Sequence, residues 1–124
     1  MNASNVTDFQ AFSERYVELW NLGDDENRRE TIRSLWADDG GHVAPTISVK
    51  GYEELEARVA RSYQRWGVEE RCRFRLRGNE RHHNVARILW EMLDRDGKVE
   101  SLGTEIIVLN EAGKIDCAYQ FIDR

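Results

Sequence analysis

The spacing of apolar residues changes near residue 70, and this change constrains the fold more than any other feature of the sequence. Before it, apolar residues recur every three or four positions, which predicts helices. After it, as in RCRFRLR at 71–77, charged and apolar residues alternate, which predicts strands. Helices followed by strands in 124 residues predict a single α+β domain, residues 1–124, with the helices on one face of a curved antiparallel sheet.

The first two helices have recognisable ends. The first is predicted to begin at a T-x-x-Q capping box at Thr7 and to end at Gly23. The second begins at Asp24 or Asp25, because acidic residues suit the positive end of a helix. The residues DDGG at 38–41 are predicted to end it.

A short strand and a third helix follow. His42 to Val49 predicts the strand, and Pro45 limits it to a sheet edge or a bulge. Apolar spacing from Tyr52 to Trp66 predicts the helix, with Gly67 as its stop.

The strands after residue 70 predict a four-strand meander. Residues 85–94 and 99–109 form its central hairpin, with Asp96-Gly97 as a two-residue type I′ turn, and 115–122 is the last strand. Counting outward from this turn gives three pairs on one face of the sheet: Trp90 with Gly103, Ile88 with Glu105, and Ala86 with Ile107.

Glu105 is the unusual member of that face, because all its predicted neighbours are apolar. Desolvation disfavours a charge, so we expect this carboxyl group to resist ionisation. Tyr16 and Tyr63 lie on the apolar stripes of the first and third helices, and their hydroxyls need partners if buried. A protonated carboxyl beside a tyrosine hydroxyl would give two donors that can stabilise an oxyanion.

The opposite face of the sheet is also apolar. The helices can cover only one face, so we expect the other to pair with a second copy of the chain in a homodimer. This outer face carries Val85, Leu89, Leu93, Leu102, Ile106, Val108, Cys117, Tyr119 and Phe121.

Composition excludes several other classes of protein. A net charge of −5 argues against general nucleic-acid binding, and no apolar run is long enough to span a membrane. The N-terminal residues do not resemble a signal peptide, and Cys72 and Cys117 are interpreted as reduced and buried, which favours a cytoplasmic protein. His82 and His83 would point to opposite faces of a strand, so we expect no metal site. We expect no cofactor.

The order and spacing of several short motifs resemble the nuclear transport factor 2-like superfamily. They are RYVELWNLGD at 15–24, WADD at 36–39, Pro45 and LNEAGKI at 109–115, and the likeness covers roughly residues 8 to 123. Within that superfamily the ketosteroid isomerase and SnoaL-like polyketide cyclase branches are the most similar. The resemblance implies a cone-shaped sheet with three N-terminal helices on its concave face, a deep apolar pocket and a homodimer.

The resemblance also implies roles for single residues. Tyr16 matches the isomerase's oxyanion-hole tyrosine, Glu105 its oxyanion-hole aspartic acid, and Tyr63 a supporting tyrosine. Ala44 stands where the isomerase has its catalytic aspartate, and alanine cannot move a proton. His42 lies on the same side of the strand and could replace that base at the mouth of the pocket. The expected pocket wall consists of Trp20, Tyr63, Ile88, Trp90, Met92, Gly103, Ile107 and Gln120.

Two functions therefore remain open. The chain could be a cofactor-independent isomerase or cyclase, or a lyase of the same type, acting on a small apolar carbonyl compound through Tyr16, Glu105 and His42. Alternatively, it could be a non-catalytic module that binds a small apolar ligand or dimerises, which Ala44 favours. A nuclear-transport-like adaptor is the weakest option, because nothing in the sequence marks a peptide-docking groove.

Overall fold

Three helices precede the four-strand meander, as predicted. The computed structural model describes residues 3–124, with side chains from residue 8 onward. Helix α1 spans Ala3–Leu19, α2 spans Asp25–Leu35 and α3 spans Tyr52–Ser62, and a π-helical segment, Tyr63–Glu69, continues α3. Helix α1 begins upstream of the predicted capping box at Thr7, a residue whose side chain lies outside the described part. Among the described helices, none has both the length and the apolar character needed to cross a membrane.

Six strands form one sheet in the order β2-β1-β6-β5-β4-β3. Their bounds are β1 Trp36–Ala44, β2 Ile47–Lys50, β3 Arg73–His82, β4 Val85–Leu93, β5 Val99–Leu109 and β6 Ile115–Ile122. The predicted α+β class is confirmed, with the helices N-terminal to the meander. One detail was wrong: β1 runs parallel to β6, so the sheet is mixed and not wholly antiparallel. The long connection through α3 and the meander allows this parallel pairing.

The segment after α2 differs from its prediction. Helix α2 ends at Leu35 and the chain passes directly into β1, so DDGG at 38–41 belongs to a strand and does not end the helix. Asp38 and Asp39 are exposed on that strand, whereas the two glycines are buried. A Cβ atom at Gly40 would lie only 2.6 Å from the carbonyl oxygen of Ile115, so the glycine permits the close approach of β1 and β6.

The end of α3 also differs from its prediction. Gly67 does not stop the helix but lies inside the π-helical segment, where the amide of Glu70 bonds to the carbonyl of Arg65. A Cβ atom at Gly67 would lie 2.7 Å from the ring of Tyr63. The glycine is therefore needed for close packing against that ring.

The predicted register of the central hairpin is confirmed. Trp90 pairs with Gly103, and Ile88 pairs with Glu105. The predicted two-residue turn was wrong. Asp94 pairs with Lys98 around a three-residue loop, in which Gly97 has a φ of 83°. A bulge at Glu100 shifts the register back by one residue. Two single-residue differences therefore cancel before the strands reach the site.

Candidate active site

Helix α1 presents Tyr16 to the concave face of the sheet. Tyr16, Val17 and Trp20 share one face of the helix, and all three are buried. The ring of Tyr16 packs between Trp20 and Trp36, with centroid distances of 6.4 and 5.5 Å. Its hydroxyl donates a hydrogen bond of 2.6 Å to Oε1 of Glu105.

Glu105 lies on β5, between β4 and β6, and only 1% of its surface is exposed. Both carboxyl oxygens have partners. Oε1 accepts from Tyr16 and lies 3.1 Å from Nε2 of His42, and Oε2 accepts a 2.9 Å bond from the indole N–H of Trp90. The indole N–H of Trp90 can only donate, so Oε2 of Glu105 acts as an acceptor, and the hydroxyl of Tyr16 is directed at Oε1.

The surroundings of Tyr16 keep its hydroxyl protonated. Burial raises its pKa well above the usual value, and the negative charge of Glu105 and the hydrogen bond to it act in the same direction. At neutral pH Tyr16 is therefore protonated and can donate a hydrogen bond.

His42 lies behind Glu105 and not at the mouth of the cavity, where the sequence had placed it. It is fully buried, and its ring packs against Trp20 at 5.2 Å. Strand β1 is an interior strand, paired with both β2 and β6, which explains the depth of the histidine. Nδ1 of His42 has no partner among the described residues. Ala44 is half-buried farther along β1 and likewise lies outside the cavity wall.

An apolar cavity of about 360 Å³ lies in front of the Tyr16–Glu105 pair. Its wall is formed by residues of α1, α3, the π-helical segment and strands β3 to β6: Tyr16, Val17, Trp20, Arg58, Ser62, Trp66, Phe74, Trp90, Met92, Glu100, Ser101, Glu105, Gln120 and Ile122. The volume suits a small organic molecule.

The structure brings half of the predicted binding residues to this wall. Trp20, Trp90, Met92 and Gln120 contribute to it, together with the predicted catalytic pair. These side chains extend inward from helix α1 and the residue after it, and from the three strands β4, β5 and β6.

The other four predicted binding residues lie elsewhere. Ile88 and Ile107 are fully buried in the core on either side of Glu105. Gly103 lies under the indole ring of Trp90, which covers it. Tyr63 contacts Gly23 and Gly67, because the π-helical segment turns its ring away from the cavity.

Arg58 is the most informative wall residue that the sequence reasoning missed. It lies on the same face of α3 as the buried residues Leu55 and Ser62. A charged residue at a buried helical position is a signal that could have identified it. Among the described side chains, no cluster of three or more His, Cys, Asp or Glu residues is arranged to hold a metal ion. The two free cysteines are half-buried, although burial was expected.

Comparison with solved structures agrees with this geometry. A protein from Agrobacterium tumefaciens, provisionally described as an isomerase of the SnoaL-like family, matches with a TM-score of 0.86 and 28% identity, over 95% of this chain and 99% of that one. The chain has the SnoaL-like, nuclear transport factor 2-like fold. A SnoaL-like protein of unknown function from Burkholderia thailandensis shares this fold at 16% identity, with a TM-score of 0.71 over 93% and 94% of the two chains. So does a protein from Sinorhizobium meliloti provisionally described as a polyketide cyclase, at 11% identity, with a TM-score of 0.68 over 90% and 94%. No protein-family model and no curated protein matches the chain.

Proposed function

We propose that this protein binds a small, largely apolar carbonyl compound and catalyses a cofactor-independent proton transfer on it, as in an isomerisation or cyclisation. The observation that carries the proposal is the buried Tyr16–Glu105 pair, which faces a predominantly apolar cavity. An acid and a base 2.6 Å apart can act on one carbonyl group and its neighbouring carbon.

The proposed reaction uses the pair in two roles. Tyr16 turns its O–H toward the carbonyl oxygen of the substrate, and the Glu105 carboxylate removes a proton from the adjacent carbon. The C–H electron pair forms the enolate, and its oxygen accepts the hydrogen bond of Tyr16. Return of the proton from Glu105 to a different carbon gives an isomer. Alternatively, the enolate carbon attacks a second carbonyl, whose C=O π electrons form an alkoxide that takes the proton from Glu105, and a ring closes.

His42 and Trp90 are proposed as positioning residues. Each lies within hydrogen-bond distance of one oxygen of Glu105, so together they hold the plane of the carboxylate. This replaces the expected role of His42 as a base at the pocket mouth, because His42 does not form part of the cavity wall.

The test is exchange of the α-hydrogens of 2-tetralone for deuterium, followed by NMR. We expect Glu105→Gln to slow the enzyme-dependent exchange by about 100-fold or more, because the amide cannot accept the proton. Tyr16→Phe should also slow it, through loss of the enolate donor. Glu111→Gln is the control, because Glu111 is an exposed carboxylate between β5 and β6 and does not form part of the cavity wall, and it should leave the rate nearly unchanged. Exchange that Glu105→Gln leaves intact would refute the assignment.

A non-catalytic ligand-binding module is the second candidate. The absence of an ionisable side chain at Ala44 and the burial of His42 favour it. A ligand that raises the melting temperature of the protein without any exchange at its α-carbon would support binding alone.

Two further proposals concern the surroundings of the protein. The apolar outer face of the sheet supports pairing with a second copy of the chain, and the net charge of −5 argues against nucleic acid as a partner. The two free cysteines support a reducing, cytoplasmic location.

A further inference from the structure

We propose that the ligand of this cavity is a monoanion, a small carboxylate with an apolar body, and that the guanidinium group of Arg58 binds the carboxylate. The inference rests on the proposed function, since it names the class of compound that reaches the Tyr16–Glu105 pair.

The position of Arg58 is set by helix α3. Arg58 follows Leu55 by one helical turn and precedes Ser62 by another, and both neighbours are buried. Its side chain therefore extends inward and forms part of the cavity wall. The guanidinium carbon lies 5.5 Å from the centroid of the Trp20 ring, and stacking of this kind orients the planar group.

Arg58 has no anionic partner in the described part of the chain. It forms no ion pair within 4.0 Å and no hydrogen bond there, and its Nε is buried without a partner. Arg28, also on an inward-facing position, differs, because its terminal nitrogens bond to Asp25 and to the carbonyl of Leu22. A partly desolvated cation without a contacting counter-charge is costly, so the Arg58 group is available for an anion from outside the chain.

Electrostatics in the cavity support the same assignment. Burial lowers the pKa of Arg58 and the charge of Glu105 raises it, and an arginine stays protonated under such opposing effects. Arg58 and Glu105 interact electrostatically but form no ion pair or hydrogen bond, which leaves the guanidinium group free to bind a ligand.

The charge and chemistry of the ligand follow from the other wall residues. A guanidinium group binds a carboxylate through two parallel hydrogen bonds. Glu100 and Glu105 also line the cavity and would repel a dianion such as a phosphate monoester, which favours a single negative charge. The apolar side chains of Trp66, Phe74 and Ile122 line another part of the cavity, so the rest of the ligand is expected to be apolar.

The experiment compares trans-cinnamate with its neutral amide, trans-cinnamamide, by isothermal titration calorimetry at pH 7. The two probes have nearly the same shape, so the difference between their affinities measures the contribution of the negative charge. We expect the wild-type protein to bind the acid about tenfold tighter or more, and Arg58→Met to remove this preference. Arg58→Lys should retain part of it, because it keeps the charge without the planar fork.

Arg61→Met is the matched control, because Arg61 is an exposed arginine of the same helix, and it should keep the full preference. Circular dichroism checks that each variant is folded, and the wild-type ratio of acid to amide affinity tests the inference without any variant. Equal affinity for the two probes, binding of neither, or an acid preference that survives Arg58→Met would overturn it.

The outcome is separable from that of the proposed function. Because titration needs no turnover, Glu105→Gln protein should still prefer the acid even though it is expected to be inactive. An acid preference without α-hydrogen exchange would refute only the proposed reaction, whereas exchange without an acid preference would refute only the role of Arg58.

Discussion

The buried polar contacts next to the cavity converge on one carboxyl group, that of Glu105. Tyr16, Trp90 and His42 come from α1, β4 and β1, and all lie within 3.1 Å of Glu105. A buried polar group is tolerated when its hydrogen bonds are satisfied, and such a network also fixes the side chains that form it. Each of these residues therefore affects both the stability of the fold and the geometry of the proposed base.

The raised pKa of Tyr16 predicts how stability depends on alkaline pH. An unfolded tyrosine loses its proton near pH 10, whereas the buried Tyr16 loses it at a higher pH. Above about pH 10 the unfolded chain binds fewer protons than the folded chain, so the free energy of unfolding falls as pH rises. We expect this residue to contribute a loss of up to about 1.4 kcal/mol per pH unit, measured by urea unfolding between pH 9 and pH 11.

Tyr16→Phe should have a shallower alkaline decline than the wild type, because phenylalanine has no proton to lose. Tyr63→Phe is the control, since the Tyr63 ring packs outside this network, and its slope should match the wild type. Identical slopes for Tyr16→Phe and the wild type would contradict the prediction.

At the scale of elements, the β4–β5 pair carries Glu105 and its hydrogen-bond partner Trp90. Gly103 lies opposite Trp90, and a methyl group on Gly103 would fall on the indole ring. We expect Gly103→Ala to displace that ring and break its bond to Glu105, which would lower the free energy of unfolding by about 2–4 kcal/mol. Chemical denaturation followed by tryptophan fluorescence measures the change.

Gly78→Ala provides the comparison on the neighbouring strand. A methyl group there meets only the flexible end of Leu89, at 3.3 Å. Its cost should be clearly smaller than that of Gly103→Ala. Similar losses for the two variants would show that the ring of Trp90 is not the cause.

The same strand pair shows which parts of the site a sequence can predict. The period of two fixes which residues share a face, so the position of Glu105 opposite Ile88 follows from the pattern and is found. The convergence with Tyr16 follows from the helical stripe together with the family resemblance. Alternation gives the face of a residue but not its depth, and His42 is deeper than expected because β1 has neighbours on both sides.

Other parts of the site depend on local backbone geometry that periodicity does not reveal. The π-helical segment rotates Tyr63 away from the cavity and brings Trp66 to it, although both fit one helical stripe. The extended backbone of DDGG at 38–41 depends on contact with Ile115 of β6, which is far away in sequence. Tertiary contacts decide such segments, and local propensity alone gives the wrong element.

At the scale of the whole molecule, the outer face of the sheet lacks a cover within the described chain. Val85 on β4 and Tyr119 and Phe121 on β6 are exposed by 41%, 40% and 55%, which is unusual for large apolar side chains on one face of a sheet. We propose that a second copy covers them, and we expect light scattering after size-exclusion chromatography to give twice the mass of one chain. Phe121→Glu should shift the protein toward the monomer, because the charge would be buried in the interface.

Val68→Glu tests whether any new surface charge has that effect. Val68 is 48% exposed but lies on the π-helical segment, away from the outer face. This variant should keep the mass of the wild type. A wild-type monomer, or loss of the dimer in both variants, would contradict the proposed interface.

The bulge at Glu100 separates the hairpin tip from the regular part of the β4–β5 pair, so the length of the tip can change during evolution. The shift of register in the β4–β5 pair is confined to the hairpin tip and the bulge. From the pair Met92–Ser101 inward, the strand pairing is regular. Insertions or deletions between 94 and 100 can therefore be accommodated locally, leaving Glu105 on its face. Glu100 and Ser101 form part of the cavity wall, so such changes would reshape the wall near them while Glu105 stays in place. A fold built in this way can acquire new ligands by altering the length of one loop.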